Sequence, residues 1–497
     1  MTKDSTRPNI VIVVMDCCRA SDFVPDARQG YLPFAAELAK ESIRFPRAVS
    51  PSSWTLPSHA SLFTGLYPWE HEAHNWGSLR LSETKPTLAG ILGKSGYASL
   101  SASSNFLINT KFGLTRGFDT AAWGTWWEIY LHLPRGWWDS RRFLTSGQAP
   151  RRALPRSTPG SWLRHLAATP LAKRQMIPLL DIAQRVLLGL DDDGSSKNTS
   201  PWIEPLVDSW LEEVPAQQPA FCFVNYLDAH EPYFSAGGLH PGLREWMKYA
   251  SIRQDKHGWV EEEWSATAQE LDILHRLYRR SIQNIDSRLR RLVKILQEHN
   301  RWDNTLLILT ADHGQAFGEH GSLFHISGVF DEMVRIPLWM RMPGGTGGGE
   351  VSTSWASLID VMPTALETAG LPYEPAGEGR SLWKLRNQPR TEPIYTISDG
   401  HSFIKGLSPE VQRPTSLPAA AFAGSWKVIE DPSAPGSTRA FDLDHDPGET
   451  RNLWDKGDPK LQELARAAAV ASQSIRRGSP VAPDPEVLER LQAWGYA

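Results

Sequence analysis

The chain has 497 residues, 52 Lys and Arg against 56 Asp and Glu, and a formal net charge of -4. That length accommodates two or three domains, or one large α/β domain with a smaller appendage. The mixed, near-neutral charge excludes the basic footprint that nucleic-acid binding needs. Three cysteines, two of them adjacent at Cys17 and Cys18, exclude a disulfide framework or a cysteine-built zinc cluster, and suit a reducing compartment.

The opening "MTKDSTRPN" is short and polar and leads straight into "IVIVVM". It lacks the apolar stretch and cleavage site of a signal peptide, and no segment has the apolar length of a membrane span. The expectation is a soluble cytoplasmic protein without an integral membrane segment. "NIVIVVMD" (9–16) is a β-branched run of the kind buried on both faces of a sheet. "YLPFAAELAKESI" and "TLAGILGKSG" predict helices, and "ASLSASS" a short strand. "AFCFVNYLD" (220–228) and "NTLLILTADHG" (304–314) predict two further buried strands, each ending in Asp or Asp-His. Between them, "ELDILHRLYRRSIQNIDSRLRRLVKILQEHN" carries apolar residues at helical spacing. This alternation predicts an α/β fold with a mostly parallel sheet covered by helices on both faces.

Residues 120–200 interrupt the alternation with Trp-, Arg-, Pro- and Ser-rich sequence. They read as an insertion and a cap over the site, its tryptophans packing on the body of the protein. "MPGGTGGGE" (342–350) lacks the lysine of a phosphate loop and reads as a surface connection. The predicted organisation is a catalytic domain over 1–384 and a smaller α+β domain over 385–497, with a final helix near 484–494. Asp16, Asp228, Asp312 and His313 all follow apolar runs, which places them at the carboxyl ends of strands, where α/β sheets hold their ligands. Two carboxylates and an imidazole suit a divalent cation. Thr55, in "WTLPSHASLFTG", reads as the start of a helix, where a bound metal and the helix terminus both favour a deprotonated hydroxyl.

"PNIVIVVMD", "TLPSHASLFTGLYP", "NYLDAHEPY", "DNTLLILTADHGQAFGEHG", "FDEMVRIPLWMRMPG", "SLIDVMPTALETAGLP" and "FDLDHDPGETRNL", in this order, resemble the sulfatase branch of the alkaline phosphatase superfamily. The resemblance covers nearly the whole chain. It implies an alkaline-phosphatase-like fold with a small C-terminal α+β domain. Asp16, Thr55, Asp312 and His313 would bind one divalent ion (Mn, Zn, Ca or Mg), with Thr55 as nucleophile. His59, His230 and His325 become candidate catalytic residues facing substrate oxygens or the leaving group, and Asn105 and Asp228 candidate substrate-binding residues. Asp228 with His230 and His325 could also ligate a second metal, though one metal is the expectation.

The chain departs from the family pattern at points that carry chemistry. Cys17 stands where sulfatases have a second aspartate, Thr55 where they have the cysteine that becomes formylglycine, and His59 where they have arginine. The Lys-x-His segment is replaced by "SNFLIN". Threonine cannot become formylglycine, and threonine nucleophiles in the superfamily belong to phosphoryl-cleaving or phosphoryl-transferring relatives. The expected activity is hydrolysis of a phosphate diester or phosphonate ester through a covalent Thr55 intermediate. The substrate would be a small-molecule, lipid or sugar ester, with no nucleic-acid partner. Sulfate-ester hydrolysis and phosphoryl transfer are the alternatives, and a non-catalytic binding protein the remote one. His71, His74, His320 and Cys17 stay unassigned at this stage.

Overall fold

The computed structural model describes residues 7–24, 30–74, 78–123, 202–231, 233, 252, 265–325, 328–372, 377–399, 417–432, 434 and 436–475. The Trp-rich stretch beyond Trp123 and the helix expected near 484–494 lie outside these residues. The main sheet contains β1 (Asn9–Met15), β2 (Ile43–Arg44), β3 (Ala98–Ser103), β4 (Thr120–Trp123), β5 (Ala220–Tyr226), β6 (Thr305–Thr310) and β7 (Leu338–Arg341). Their order is β2-β7-β6-β1-β5-β3-β4. β1 lies between β5 and β6, parallel to both, with Val14 opposite Asn225 and Thr310. β7 pairs antiparallel with β6 and with β2, so among these strands it alone runs against the rest.

Every residue of β1, β5 and β6 is buried, which is why their sequences are continuous apolar runs without alternation. The two faces are visible on β5. Phe223 packs on Phe63 with ring centroids 4.8 Å apart, while Tyr226, on the opposite parity of the strand, donates to Glu204 at 3.1 Å. The Phe63 face carries α2 (Thr55–Thr64), α3 (Leu88–Lys94) and α6 (Val361–Thr368). The Tyr226 face carries α1 (Pro33–Leu38), α4 (Ile203–Glu213) and α5 (Ala268–Glu298).

α5 starts at a capping box in which Thr267 accepts from Glu270 N at 3.3 Å and Glu270 accepts from Thr267 N at 2.8 Å. Its Asp286 accepts the amides of Phe34 and Ala35 at 3.0 and 2.7 Å, tying α1 to it. α1 is shorter than its sequence suggests, because Ile43 and Arg44 pair with Met340 and Trp339. Sheet pairing takes residues that helical periodicity also fitted. Thr120–Trp123 similarly joins the sheet as β4, beside β3, where the sequence reads as the start of the insertion.

A second sheet, antiparallel, comprises β8 (Ile394–Ile397), β9 (Ala419–Ala423), β10 (Trp426–Glu430) and β11 (Arg439–Asp442). α7 (Pro459–Ser474) packs on it through Leu461, Leu464 and Ala468. Its alanine-rich sequence shows little apolar contrast, but the Asp458-Pro459 pair is a start signal: Asp458 accepts from Lys460 N at 2.8 Å.

Lys427 on β10 is fully buried and joins this sheet to the larger domain. Its ammonium lies 3.0 Å from Asp331 and 2.6 Å from Glu449, and Arg335 holds the other Asp331 oxygen at 2.8 Å. Lys427→Met would leave two carboxylates facing each other out of water, a loss of about 3–5 kcal/mol. The expected result is a fall in the denaturation midpoint of Lys427→Met. An unchanged midpoint would mean that the pair does not hold the two parts together.

Candidate active site

The candidate residues converge at the carboxyl ends of the parallel strands. Asp16 follows β1, Asn105 follows β3, His230 and Glu231 follow β5, and Asp312 and His313 follow β6. Thr55 is the first residue of α2, and all ten residues of that helix are buried. Trp54, which precedes it, offers no side-chain cap. The amide groups and partial positive charge of the helix terminus are therefore directed at the site. Gly65 ends α2 at φ 70°, a left-handed turn that glycine enters without steric cost.

Thr55 Oγ1 lies 3.4 Å from His313 Nε2. The other ring nitrogen of His313, Nδ1, is 2.9 Å from the Gly314 carbonyl. A proton on Nδ1 suits that contact, and the Nε2 lone pair then faces Thr55 and Asp312. Asp312 Oδ1 accepts the amides of Cys17 at 3.1 Å and His313 at 2.9 Å. Asp312 Oδ2 is buried without a hydrogen bond among the described residues. Asp16 Oδ2 accepts from Asn105 Nδ2 at 2.7 Å. Burial pushes the Asp312 carboxyl up to about 7 against the two amides. Burial and then Asp312 itself raise Asp16 as well. Gly314 is needed for this placement, since a Cβ there would overlap the Glu332 carbonyl.

Two buried carboxylates side by side, one with an oxygen lacking a hydrogen bond, require positive charge. With the Thr55 hydroxyl and the His313 lone pair they form a donor set that fits a divalent cation. Asp16, Cys17 and His313 each offer a potential ligand atom within 4.8 Å of the others, with Thr55 and Asp312 beside His313.

His59 does fall one turn beyond Thr55, but its Nδ1 contacts the Thr55 carbonyl at 2.9 Å. Its ring packs edge-on to Phe223 with centroids 5.9 Å apart, and burial lowers its pKa to about 3. Neutral and fixed by the helix, it holds the Thr55 backbone through Nδ1. Asn105 bonds Asp16 and orients its carboxylate. Asp228 turns to Arg288, 3.4 Å away, and Arg288 also bonds Glu204 at 2.8 Å. That buried ion pair anchors α5 to α4 and to the strand end. Among the unassigned histidines, His71 meets Ser61 at 3.0 Å, and His320 stacks on Phe330 and meets Glu332 at 2.9 Å. Both have structural partners.

His230 and His325 stand together, with ring centroids 4.8 Å apart, and His325 is 4.7 Å from the His313 ring. Sequence reasoning passed over two residues beside them. Gln315 donates to Glu231 Oε2 at 2.8 Å and meets His325 Nδ1 through Oε1 at 2.9 Å. Glu231 lies within the "DAHEPY" segment and Gln315 directly follows "DHG". Adjacency to those motifs was the available signal.

The family model Sulfatase matches residues 8–371. The chain belongs to the sulfatase family. It is an enzyme of the sulfatase and alkaline phosphatase superfamily, a hydrolase family in which a divalent metal ion is typical. The multifunctional alkaline phosphatase superfamily protein PehA of Trinickia caryophylli is 27% identical, over 95% of each chain. Phosphonate monoester hydrolase of Agrobacterium radiobacter is 21% identical and superposes with a TM-score of 0.60, over 98% of this chain and 96% of that one. BT4656, solved with its substrate D-glucosamine-2-N,6-O-disulfate, is 16% identical with a TM-score of 0.62, over 97% of this chain and 100% of that one. These structures share the sulfatase-type fold with this family member, whose described residues contain no helix long and apolar enough to cross a membrane.

Proposed function

We propose that the protein hydrolyses a phosphate diester or phosphonate ester, with Thr55 as nucleophile and Asp16, Thr55, Asp312 and His313 holding one divalent ion. The observation that carries this reading is the placement of the Thr55 hydroxyl. It is buried at the start of α2, 3.4 Å from His313 Nε2, where sulfatases carry a cysteine. A divalent ion held by Asp16, Asp312 and His313 would supply Lewis acidity favouring the deprotonated Thr55 hydroxyl. The α2 terminus stabilises the resulting oxyanion, and the His59 contact with the Thr55 carbonyl fixes its direction.

Thr55 Oγ1 then bonds to phosphorus as the P–O bond to the alcohol breaks. The leaving oxygen departs on the side of His230 and His325 with the bonding electrons and takes a proton from solvent. A water oxygen next bonds to phosphorus and gives up a proton, and P–Oγ1 breaks to regenerate the Thr55 oxyanion. Formylglycine carries a second hydroxyl on its hydrate and can expel the bound group by re-forming the aldehyde. A threonyl ester cannot, so release needs attack at the central atom. Phosphorus accepts that attack in line.

The likeness to the multifunctional alkaline phosphatase superfamily protein PehA supports the proposal, and the phosphonate monoester hydrolase shares its fold. Its test is a panel of aryl phosphate monoesters, diesters, phosphonates and sulfates, assayed with Mn, Zn, Mg and Ca. Turnover of diesters or phosphonates above sulfates is expected. Turnover of sulfate esters alone would sink the phosphoryl reading.

A further inference from the structure

The backbone that follows His313 is held from outside its own strand. Gly314 N donates to the Met333 carbonyl and Gln315 N to the Glu332 carbonyl, each at 2.7 Å. The His313 ring is tied to the same segment through the Gly314 carbonyl, 2.9 Å from Nδ1. Met333 and Glu332 belong to the helical turn Asp331–Val334. A single turn is too short to be stable by itself, so it takes its position from what surrounds it. Its surroundings include the antiparallel sheet. Met333 and Val334 share an apolar cluster with Phe422 of β9, Ile429 of β10 and Phe441 of β11. At the start of the turn, Glu449 Oε2 accepts the Asp331 amide at 2.6 Å. Lys427 Nζ lies 2.6 Å from Glu449 Oε1 and 3.0 Å from Asp331 Oδ1, which closes a clamp on the turn.

We infer that Lys427 is a positioning residue of the active site: through Asp331 and Glu449 it seats the turn that sets the His313-Gly314-Gln315 backbone, so the C-terminal sheet completes the site. Two further contacts from this sheet reach loops of the site. Ile397 N donates to the Pro51 carbonyl at 3.0 Å and Ser53 N to the Ile397 carbonyl at 3.3 Å, just ahead of Thr55. Ser398 Oγ accepts from Gly328 N at 2.8 Å, just past His325. Those are single neutral hydrogen bonds, whereas the Lys427 ammonium is fully buried with two carboxylates converging on it. Without it the carboxylates repel, and the turn that carries Asp331 is the part that can move. Displacement by about 1 Å near reacting groups lowers rate by about 10²-fold. Disturbing the groups that orient a metal ligand weakens metal binding by about 10–100-fold. The inference rests on the Thr55-centred reading only for where the reaction takes place.

The test measures kcat, KM and Mn(II) affinity in full-length Lys427→Met, Glu449→Gly and Leu464→Ala, at a temperature where circular dichroism shows each to be folded. Glu449 sits at φ 52°, a conformation glycine adopts freely, so Glu449→Gly removes the carboxylate at little backbone cost. Leu464→Ala loosens α7 on the opposite face of the same sheet and lowers the denaturation midpoint without touching the clamp. Both clamp variants are expected to lose kcat by about 10–100-fold and Mn(II) affinity by at least about 10-fold, with KM little changed. Leu464→Ala should keep wild-type values. A folded Lys427→Met with wild-type kcat or wild-type Mn(II) affinity would overturn the inference. So would an equal loss in Leu464→Ala, which would make the effect one of general stability. Should Lys427→Met not fold, Glu449→Gly decides by the same criteria. Turnover is read on whichever ester of the panel wild type hydrolyses fastest, so the two readings fail separately. Turnover of sulfates alone removes the phosphoryl assignment and leaves the clamp to be judged on that ester. Phosphoryl turnover that survives in the clamp variants removes only the clamp.

Discussion

Replacing Thr55 by alanine is expected to lower kcat on an aryl phosphodiester by at least about 10³-fold, because no other step can substitute for the missing covalent bond. Fold and stability should hardly change. Thr55 is the first residue of α2 and the helix has no side-chain cap to lose, so Ala at this position keeps a good helix former in place. Thr55→Ser is the informative companion. It keeps the hydroxyl and removes a methyl, so it should retain covalent chemistry at a reduced rate. Acid quench during turnover followed by intact mass should show a phosphorylated protein in wild type and Thr55→Ser, and none in Thr55→Ala. If Thr55→Ala keeps wild-type turnover, another group is the nucleophile. A large loss of turnover in Thr55→Ala with no adduct in wild type would instead point to direct attack by water.

The strand ends of the site were legible in the sequence because burial on both faces writes a continuous apolar run, and a polar residue that ends such a run has few other reasons to be there. Asp16 and the Asp312-His313 pair follow that rule. Thr55 was legible through its helix-start context and the motif around it. Asp228 obeys the same strand-end rule and yet faces Arg288, because the opposite faces of a strand alternate and pairing across the fold decides which partner an acid meets. Glu204, the third member of that cluster, lies on α4, and nothing local to its sequence announces an ion pair with Arg288 on α5. Cys17 shows the converse. Adjacent cysteines look inert in a reducing compartment, and only the left-handed turn held by Tyr278 reveals where the thiol goes. His59 was placed correctly on α2 by periodicity, but its contact with the Thr55 carbonyl depends on a ring orientation that spacing alone does not specify.

Removing metal should destabilise the protein in a pH-dependent way, and the sign follows from Asp312. Burial raises its folded value from 3.8 to about 7, so the metal-free fold favours the protonated acid. That contribution is fully present below the unfolded value and is lost as pH rises through about 7, on the order of 4 kcal/mol in all. A bound cation reverses the preference by requiring the carboxylate. The melting temperatures of metal-loaded and chelated protein should therefore differ little near about pH 5 and differ most by about pH 8. Glu449, also raised to about 7, titrates in both forms and so cancels in the difference. Asp312→Asn should narrow the gap and weaken its pH dependence, since the amide does not ionise. The chelated Asp312→Asn variant should melt above chelated wild type at the upper pH, yet have no turnover. Stability would thus have been given up at this position for the sake of the ion. A gap that is constant with pH, or one as wide and as pH-dependent in Asp312→Asn as in wild type, would show that Asp312 does not couple metal binding to stability.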